Sequence, residues 1–256
     1  MLGYLVTVAF GIWLYMSTVF LIALAKKDNT VVDTAWGLGF VLIAWLTAWH
    51  TGLWLPRHVL LLCLVTIWGL RLSIHLYLRN KNKGEDPRYA AWRTAWGTDV
   101  VWRSYLQIYL LQGVCMFIIA MPLTTVLLST NNSLAITDLL GLLIFSIGFL
   151  FETVGDYQLK QFVHNPANHG KIMDQGLWHY TRHPNYFGEA TMWWGMWLIA
   201  LSVPYAWLAL ISPLTITGLL VFVSGVPLTE AQYADNAAYQ AYKKRTSAFF
   251  PWFAKK

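Results

Sequence analysis

The sequence predicts an all-α integral membrane protein with seven transmembrane helices. Of its 256 residues, 57% are hydrophobic and only 12% are charged, which is about half the charged fraction of an ordinary soluble domain. The apolar residues form runs long enough to cross about 30 Å of hydrocarbon, and the basic residues are concentrated in alternate loops. No long linker divides the chain, so we predict a single membrane-embedded domain over residues 1–256.

Seven apolar segments are the predicted spans. The first has no basic residue before it and no small-residue cleavage site after it, so we expect a retained span rather than a signal peptide. The sixth is short and tightly joined to the seventh, so these two are expected to form a tilted or incompletely spanning hairpin. The segments are Leu2–Ala25, Val31–Trp49, Val59–Leu78, Tyr105–Leu128, Thr137–Phe162, Tyr186–Leu201 and Tyr205–Val223.

The basic residues predict the orientation of these spans. Sixteen of the 18 Lys and Arg residues fall on one side of the predicted membrane. Arg57 lies on the other side and Arg71 lies within the third span. Because positively charged loops stay in the cytoplasm, the N-terminus is predicted outside and the C-terminus inside. The net charge of +6 agrees with juxtamembrane contacts to anionic lipid, and nucleic-acid binding is not expected.

Several ionisable residues lie near the predicted cytoplasmic ends of four spans. Polar groups within spans are costly and are functional candidates by default. The alternative is a structural ion-pair network, for example Arg71 with Asp33 or with Glu152. The polar residues are Asp33 on span two, Arg71 and His75 on span three, Glu152 and Asp156 on span five, and Asn185 and Glu189 on span six.

The most polar block of the chain is Arg182-His183-Pro184-Asn185-Tyr186-Phe187-Gly188-Glu189. Proline suits the first turn of a helix, and a helix that begins there places Asn185, Glu189 and Trp193 on one face. The spacing of the nearby histidines matches no recognised metal-ligand set, so no metal site is predicted. Neither a Gly-x-Gly-x-x-Gly nor a Gly-x-Ser-x-Gly motif is present.

This block, with Trp193 and Gly195, resembles the C-terminal domain of the steroid 5-alpha-reductase family. The chain is most similar to a bacterial branch of that superfamily whose function is poorly defined. Three further motifs carry this likeness: Asp33-x-x-Trp36-Gly37, Arg71 with Glu85-Asp86-x-Arg88-Tyr89, and Tyr239-x-x-Tyr242 followed by Phe250-Pro251-Trp252.

The resemblance implies a reductase of the bacterial cytoplasmic membrane that takes NADPH from the cytoplasm and a hydrophobic, steroid- or lipid-like substrate from the bilayer. An activated C=C bond would be reduced, and the cofactor-binding half would cover about 137–256. The implied acids are Asp33, Glu189 and Tyr186. The implied cofactor-binding residues are Arg71, Glu152, Asp156, Lys171, Arg182, His183, Asn185, Tyr186, Glu189, Trp193, Tyr239, Tyr242 and Arg245.

The chain also departs from the steroid reductases. Those enzymes carry a Gln-Glu pair on span two and a Tyr on span three, whereas here Asp33 is the carboxyl of span two and Trp68 stands near the Tyr position. After Ser224-Gly225, the family's basic residue and His are replaced by an apolar stretch that leads to Glu230. The nature of the substrate and of the proton donor therefore stays open.

Two other functions remain open. The Arg-His-Pro-x-Tyr block is shared with the membrane isoprenylcysteine and phospholipid methyltransferases, which bind S-adenosylmethionine and are also similar in Glu230 and in the Tyr239-x-x-Tyr242 ending. Asn185 and Phe187-Gly188-Glu189 favour the reductase over this alternative. The third candidate is a non-catalytic, lipid-binding membrane protein.

Overall fold

The computed structural model describes residues 2–131 and 133–254, and within these ranges the protein is all-helical. Helices make up 78% of the structure, and the one β contact between described residues is an isolated parallel bridge of Thr181 with Ser247. The chain divides into two compact units, Met1–Leu134 and Ala135–Lys256. The boundary lies close to residue 137, where the cofactor-binding half is predicted to begin. A single domain over the whole chain stays a prediction.

Unit 1 contains seven helices among its described residues. A π-helical turn, Tyr105–Leu110, separates α5 from α6, and a short 3-10 turn precedes α5. The helices are α1 (Leu2–Lys26), α2 (Val31–Thr51), α3 (Pro56–Asn80), α4 (Pro87–Trp96), α5 (Val100–Ser104), α6 (Leu111–Ile119) and α7 (Met121–Leu127).

Unit 2 contains five helices among its described residues, joined by short 3-10 turns and by the π-helical turn Leu219–Val223. The helices are α8 (Ile136–His164), α9 (Pro184–Ala200), α10 (Ile211–Gly218), α11 (Val226–Ala231) and α12 (Ala237–Arg245).

Five helical segments are long and apolar enough to cross a membrane, and a bent pair brings the number to six. The bent pair joins Pro87–Ile119 to Met121–Leu127 at an angle of 49°. The sequence predicts one continuous span over Tyr105–Leu128, but Pro122 occupies the first turn of α7, where it favours the start of a new helix. The predicted sixth span corresponds to α9, which has 17 residues. The other candidates are Gly3–Lys26, Val31–Thr51, Pro56–Asn80, Ile136–His164 and Ala206–Ala231.

Close contact between glycines joins the main helix pairs. In unit 1, a Cβ atom on Gly37 of α2 would lie 2.5 Å from the carbonyl oxygen of Gly69 on α3. In unit 2, Gly141 and Gly148 of α8 meet Gly195 and Gly188 of α9 in the same way, so the two helices run antiparallel. A seven-residue spacing keeps residues on one helix face, and small residues on that face let helix backbones approach closely inside a membrane.

Candidate functional site

A pair of polar side chains joins the C-terminal part of α8 to the start of α9. Asn185 Nδ2 donates a hydrogen bond of 3.2 Å to Asp156 Oδ1. Because a carboxylate only accepts hydrogen bonds, this contact fixes which end of the Asn185 amide is the nitrogen. The opposite atom, Asn185 Oδ1, is buried and accepts no hydrogen bond from any described residue. An acceptor of this kind is a favourable partner for an N–H group of a ligand.

Two glutamates lie one turn from this pair. Glu152 precedes Asp156 by one turn on α8 and is 2% exposed. Gly188 of α9 packs directly on it, since a Cβ atom on Gly188 would lie 2.5 Å from the Glu152 backbone nitrogen. Glu189 follows Asn185 by one turn on α9 and is half-buried. The predicted residues Glu152, Asp156, Asn185 and Glu189 therefore occupy adjacent turns of one packed helix pair.

A second cluster is centred on the buried carboxylate of Glu230, at the end of α11. Arg182 donates to Glu230 Oε1 through Nε at 2.8 Å and approaches the same atom through Nη2 at 2.7 Å. Lys243 Nζ lies 2.6 Å from Glu230 Oε2. The third guanidinium nitrogen of Arg182, Nη1, donates to the backbone oxygens of Lys243 and Thr246. Each nitrogen of the Arg182 guanidinium is therefore bound within the protein.

His183 and Tyr186 complete this cluster. His183 Nε2 lies 3.3 Å from Glu230 Oε1, and burial of the ring lowers the pKa of His183 more than the Glu230 carboxylate raises it. The neutral imidazole therefore donates Nε2–H to the carboxylate. The rings of His183 and Tyr186 stack with centroids 5.2 Å apart and an interplanar angle of 8°. The Tyr186 hydroxyl is 2.9 Å from Thr229 Oγ1, so residues 229 and 230 hold both rings.

The loop before α9 is fixed on α8 and α12. Trp178 Nε1 donates to the Gly155 oxygen at 3.0 Å, and the Leu177 nitrogen donates to Gln158 Oε1 at 3.0 Å. The Tyr242 hydroxyl donates to the Trp178 oxygen. Burial raises the pKa of Tyr239 to about 12 and raises that of Tyr242 as well, so both phenols stay protonated as hydrogen-bond donors.

Unit 1 holds a separate polar cluster around Asp33. The Tyr89 hydroxyl donates to Asp33 Oδ1 at 2.7 Å, and Arg88 Nη2 donates to Asp33 Oδ2 at 3.2 Å. Arg88 also binds Asp86, whose side chain caps α4. Arg88 therefore pairs with Asp33, for which the sequence suggested Arg71, whose other suggested partner was Glu152. Arg71 is half-buried on α3.

Glu85 binds Arg93 next to this cluster. Two hydrogen bonds of 2.8 Å join their side chains, and Glu85 Oε1 also accepts from the Asn29 backbone nitrogen at 2.8 Å. Burial raises the pKa of Glu85, but the hydrogen bonds from Arg93 and Asn29 outweigh it and lower the pKa overall. Glu85 thus remains ionised and ties the loop after α3 to the start of α2.

The remaining predicted residues are spread over the loop after α8, α9 and α12. Lys171 is exposed in the loop after α8, and Arg245 forms an ion pair with Asp174. Trp193 is fully buried on α9, and Tyr239 and Tyr242 are buried on α12. Among the described residues, no group of three or more His, Cys, Asp and Glu side chains could hold a metal ion.

Sequence reasoning missed the central position of Glu230 and the parts played by Thr229 and Trp178. A carboxylate that closes an apolar stretch was the available signal for Glu230. Its partners Arg182 and Lys243 lie 48 and 13 positions away in the chain, so the pattern alone did not join them.

The helices and the buried polar clusters define an integral membrane protein with a candidate ligand site in its C-terminal unit. The chain belongs to the DUF1295 family, described as proteins of unknown function, whose family model matches residues 19–246. It is similar to an uncharacterized protein of Schizosaccharomyces pombe, with 24% identity over 228 residues. The match covers 76% of this chain and 63% of that relative, so the chain spans less than two thirds of the relative's length. No solved structure matches the chain.

Proposed function

We propose that the protein is an NADPH-dependent membrane reductase of an activated C=C bond in a hydrophobic, steroid- or lipid-like substrate, and that unit 2 binds the cofactor. The observation that carries this proposal is the buried Asn185 Oδ1, which lacks a hydrogen-bond donor among the described residues. A nicotinamide carboxamide offers two N–H donors and one acceptor, and Asn185 with the neighbouring Glu189 offers matching groups.

The surrounding contacts favour this use of Asn185. Its amide is oriented by Asp156, so the free acceptor keeps one direction. The backbone around it is fixed by the packing of Gly188 on Glu152. A polar group that is held in place before the ligand arrives loses little conformational entropy on binding. Asn185 is therefore a preorganised acceptor at the start of α9.

When bound, NADPH supplies the hydride. The protein's part is to hold the carboxamide and to keep a protonated group near the substrate oxygen. Tyr186 fits the second task because its hydroxyl is held by Thr229 and its ring by His183. Glu189 and Asp33 remain the other proposed acids, and the Tyr89 hydroxyl and the Arg88 guanidinium already bind the Asp33 carboxylate. Correct placement of donor and acceptor supplies much of the acceleration in such reactions.

The methyltransferase alternative rests on residues that have partners inside the protein. Arg182, His183 and Glu230 are shared with those enzymes, and here they bind one another. Because Arg182 and His183 are also implied NADPH-binding residues, this cluster does not distinguish the two ligands. Asn185 and Phe187-Gly188-Glu189 distinguish the reductase pattern, and Asn185 Oδ1 has no hydrogen-bond donor among the described residues. We therefore keep S-adenosylmethionine as the competing ligand in the test and a non-catalytic lipid-binding protein as the remaining alternative.

The proposed topology has seven spans, with the N-terminus outside and the C-terminus in the cytoplasm. The seven spans are the five long helical segments, the bent pair and α9. In chain order, α9 is the sixth span and is short. The one-sided distribution of basic residues supports this orientation. It directs the candidate site to the cytoplasm, where NADPH is available, and we propose the bacterial inner membrane as the location.

A competition experiment tests the function. Purified protein in nanodiscs is incubated with equimolar NADPH and S-adenosylmethionine, separated from unbound ligand and denatured, and the released small molecules are identified by mass spectrometry. We expect NADPH in stoichiometric excess over S-adenosylmethionine. Retention of S-adenosylmethionine would favour the methyltransferase, and retention of neither ligand would favour the non-catalytic alternative.

A further inference from the structure

The last described residues form an irregular strap, Thr246–Ala254, that exposes large aromatic side chains. Phe250, Trp252 and Phe253 are 68%, 72% and 78% exposed. The strap follows α12 without helical structure of its own. A surface in contact with water rarely carries such a row of exposed aromatic residues unless it binds a partner or a membrane. We therefore expect the strap to be covered.

The strap is held firmly by its backbone. The Arg182 nitrogen donates to the Ser247 oxygen and the Trp252 nitrogen donates to the Tyr180 oxygen, both at 2.9 Å. Thr181 Oγ1 donates to the Phe249 oxygen at 2.9 Å. These bonds run along residues 180–182, directly before α9. The exposed side chains therefore project from a fixed segment rather than from a loose tail.

The packing of the strap places it beside the C-terminal half of α8. The Phe249 ring is buried and meets Phe187 of α9 at a centroid distance of 5.9 Å. Phe187 lies one turn beyond Pro184, and Gly155 of α8 packs against Pro184, which a Cβ atom on Gly155 would approach to 3.1 Å. The strap is thus connected to α8 at the level of Gly155.

The distance along α8 from its first residue to Gly155 indicates how deep the strap lies in the membrane. A helix rises 1.5 Å per residue, so Gly155 lies about 28 Å along the axis from Ile136, where α8 begins. The hydrocarbon core is about 30 Å thick. Gly155 therefore reaches the second interface when α8 starts at the first. Unpaired backbone groups are excluded from hydrocarbon but tolerated at the interface, where Trp and other aromatic residues are enriched.

The basic residues next to the strap indicate which lipid headgroups it contacts. The last turn of α12 carries Lys243, Lys244 and Arg245, and all three are exposed. Lys243 and Arg245 have carboxylate partners in Glu230 and Asp174. Lys244 has no carboxylate partner among the described residues. Basic side chains beside interfacial aromatic residues favour anionic lipid headgroups.

We propose that the strap is an interfacial anchor whose occupant is an anionic lipid surface, with Phe250, Trp252 and Phe253 seated among the headgroups and Lys244 on the lipid phosphates. Because the strap is hydrogen-bonded to residues 180–182, it holds the start of α9 at the membrane surface. This lipid contact is independent of the cofactor assigned above, and its test uses no cofactor.

A nitroxide label measures the depth of the strap. The free cysteines Cys63 and Cys115 are first changed to alanine, and the label is attached to Phe253→Cys in nanodiscs containing phosphatidylglycerol. Matched labels at Leu143→Cys and Ala167→Cys report hydrocarbon and water, because Leu143 is exposed on α8 between the levels of Ile136 and Gly155 and Ala167 is exposed beyond the end of α8. Collisions with oxygen and with a neutral nickel chelate are measured by power saturation.

We expect the label at position 253 to lie between the two controls, deeper in phosphatidylglycerol than in phosphatidylcholine alone. Lys244→Glu should abolish that difference between the lipids. A nickel accessibility equal to that of the Ala167 position would place the strap in water and overturn the proposal. Spin–spin broadening at position 253 would assign the surface to a second copy of the chain, which also overturns it. A label depth that is the same with and without anionic lipid would also overturn the proposal, because the strap would then have no specific contact with anionic headgroups.

Discussion

Gly148 and Gly188 bring the backbones of α8 and α9 into direct contact. A Cβ atom on Gly188 would lie 2.5 Å from the carbonyl oxygen of Gly148, a distance that side chains do not tolerate. This contact sits between Asn185 and Glu189 in sequence and packs on Glu152. The spacing of the two helices at the candidate site thus depends on the absence of a side chain at these positions.

Gly188→Ala should therefore destabilise the protein. The added methyl group must push the helices apart, and overpacking of this kind costs about 1–3 kcal/mol. Gly218→Ala is the matched control, since nothing lies within 4 Å of its Cβ position and alanine is the better helix former by up to about 1 kcal/mol. Thermal unfolding in detergent should show a lower Tm for the first variant and an equal or higher Tm for the second. An unchanged Tm for Gly188→Ala would contradict the close packing of α8 against α9 at this position.

Changes at Asp156 test its hydrogen bond with Asn185. Asp156→Asn keeps an oxygen acceptor for the Asn185 amide, so it should destabilise the protein less than Asp156→Leu does. Asp156→Leu leaves the buried Asn185 amide without its acceptor and should cost about 1–3 kcal/mol. Chemical denaturation of both variants makes the comparison. Equal stability of the two variants would mean that the bond contributes nothing.

The stability of the protein should fall in mild acid through His183. Burial lowers the pKa of His183 in the folded protein, so below its unfolded pKa of about 6.5 the unfolded chain binds the proton more readily. Its contribution to stability is therefore complete above that pH and is lost as the pH falls towards the folded pKa. His183→Gln removes this titration. Between about pH 7.5 and about pH 5.5, the wild type should lose more stability than the variant. If the wild type and His183→Gln lost equal stability over this pH range, the acid sensitivity would come from groups other than His183.

A basic residue of unit 2 should distinguish NADPH from NADH. Lys243 and Arg245 bind Glu230 and Asp174, and Lys244 is assigned to lipid phosphates, which leaves Lys171 as the better candidate for the 2′-phosphate. Lys171→Gln should weaken NADPH binding more than NADH binding, because the second cofactor lacks that phosphate. Titration calorimetry with both cofactors measures the ratio of the two losses. Equal losses for the two cofactors would mean that Lys171 does not bind the 2′-phosphate.

The sequence predicted the helical membrane fold because apolar runs of span length are a local signal. It also singled out Asp156, Asn185 and Glu189 as candidates, since polar residues are conspicuous within such runs. It could not join Glu230 to Arg182, because their contact depends on the tertiary fold over 48 positions. The break at Ala120 also escaped prediction, since hydropathy continues across it while Pro122 starts a new helix. The seven-residue spacing of Gly141, Gly148 and Gly155 was visible in the sequence but indicates packing only when a partner helix is known.

The affinity of Glu189→Gln for NADPH tests the central claim most directly. The substitution keeps the size of the side chain and one acceptor but replaces the charge with a donor. If Asn185 and Glu189 bind the nicotinamide carboxamide, the dissociation constant should rise by the equivalent of about 1–3 kcal/mol, the cost of an unsatisfied buried polar group. The melting temperature of the cofactor-free variant should match that of the wild type. An unchanged affinity would contradict the cofactor role. A large drop in the melting temperature of the empty variant would also contradict it and would make Glu189 a structural residue.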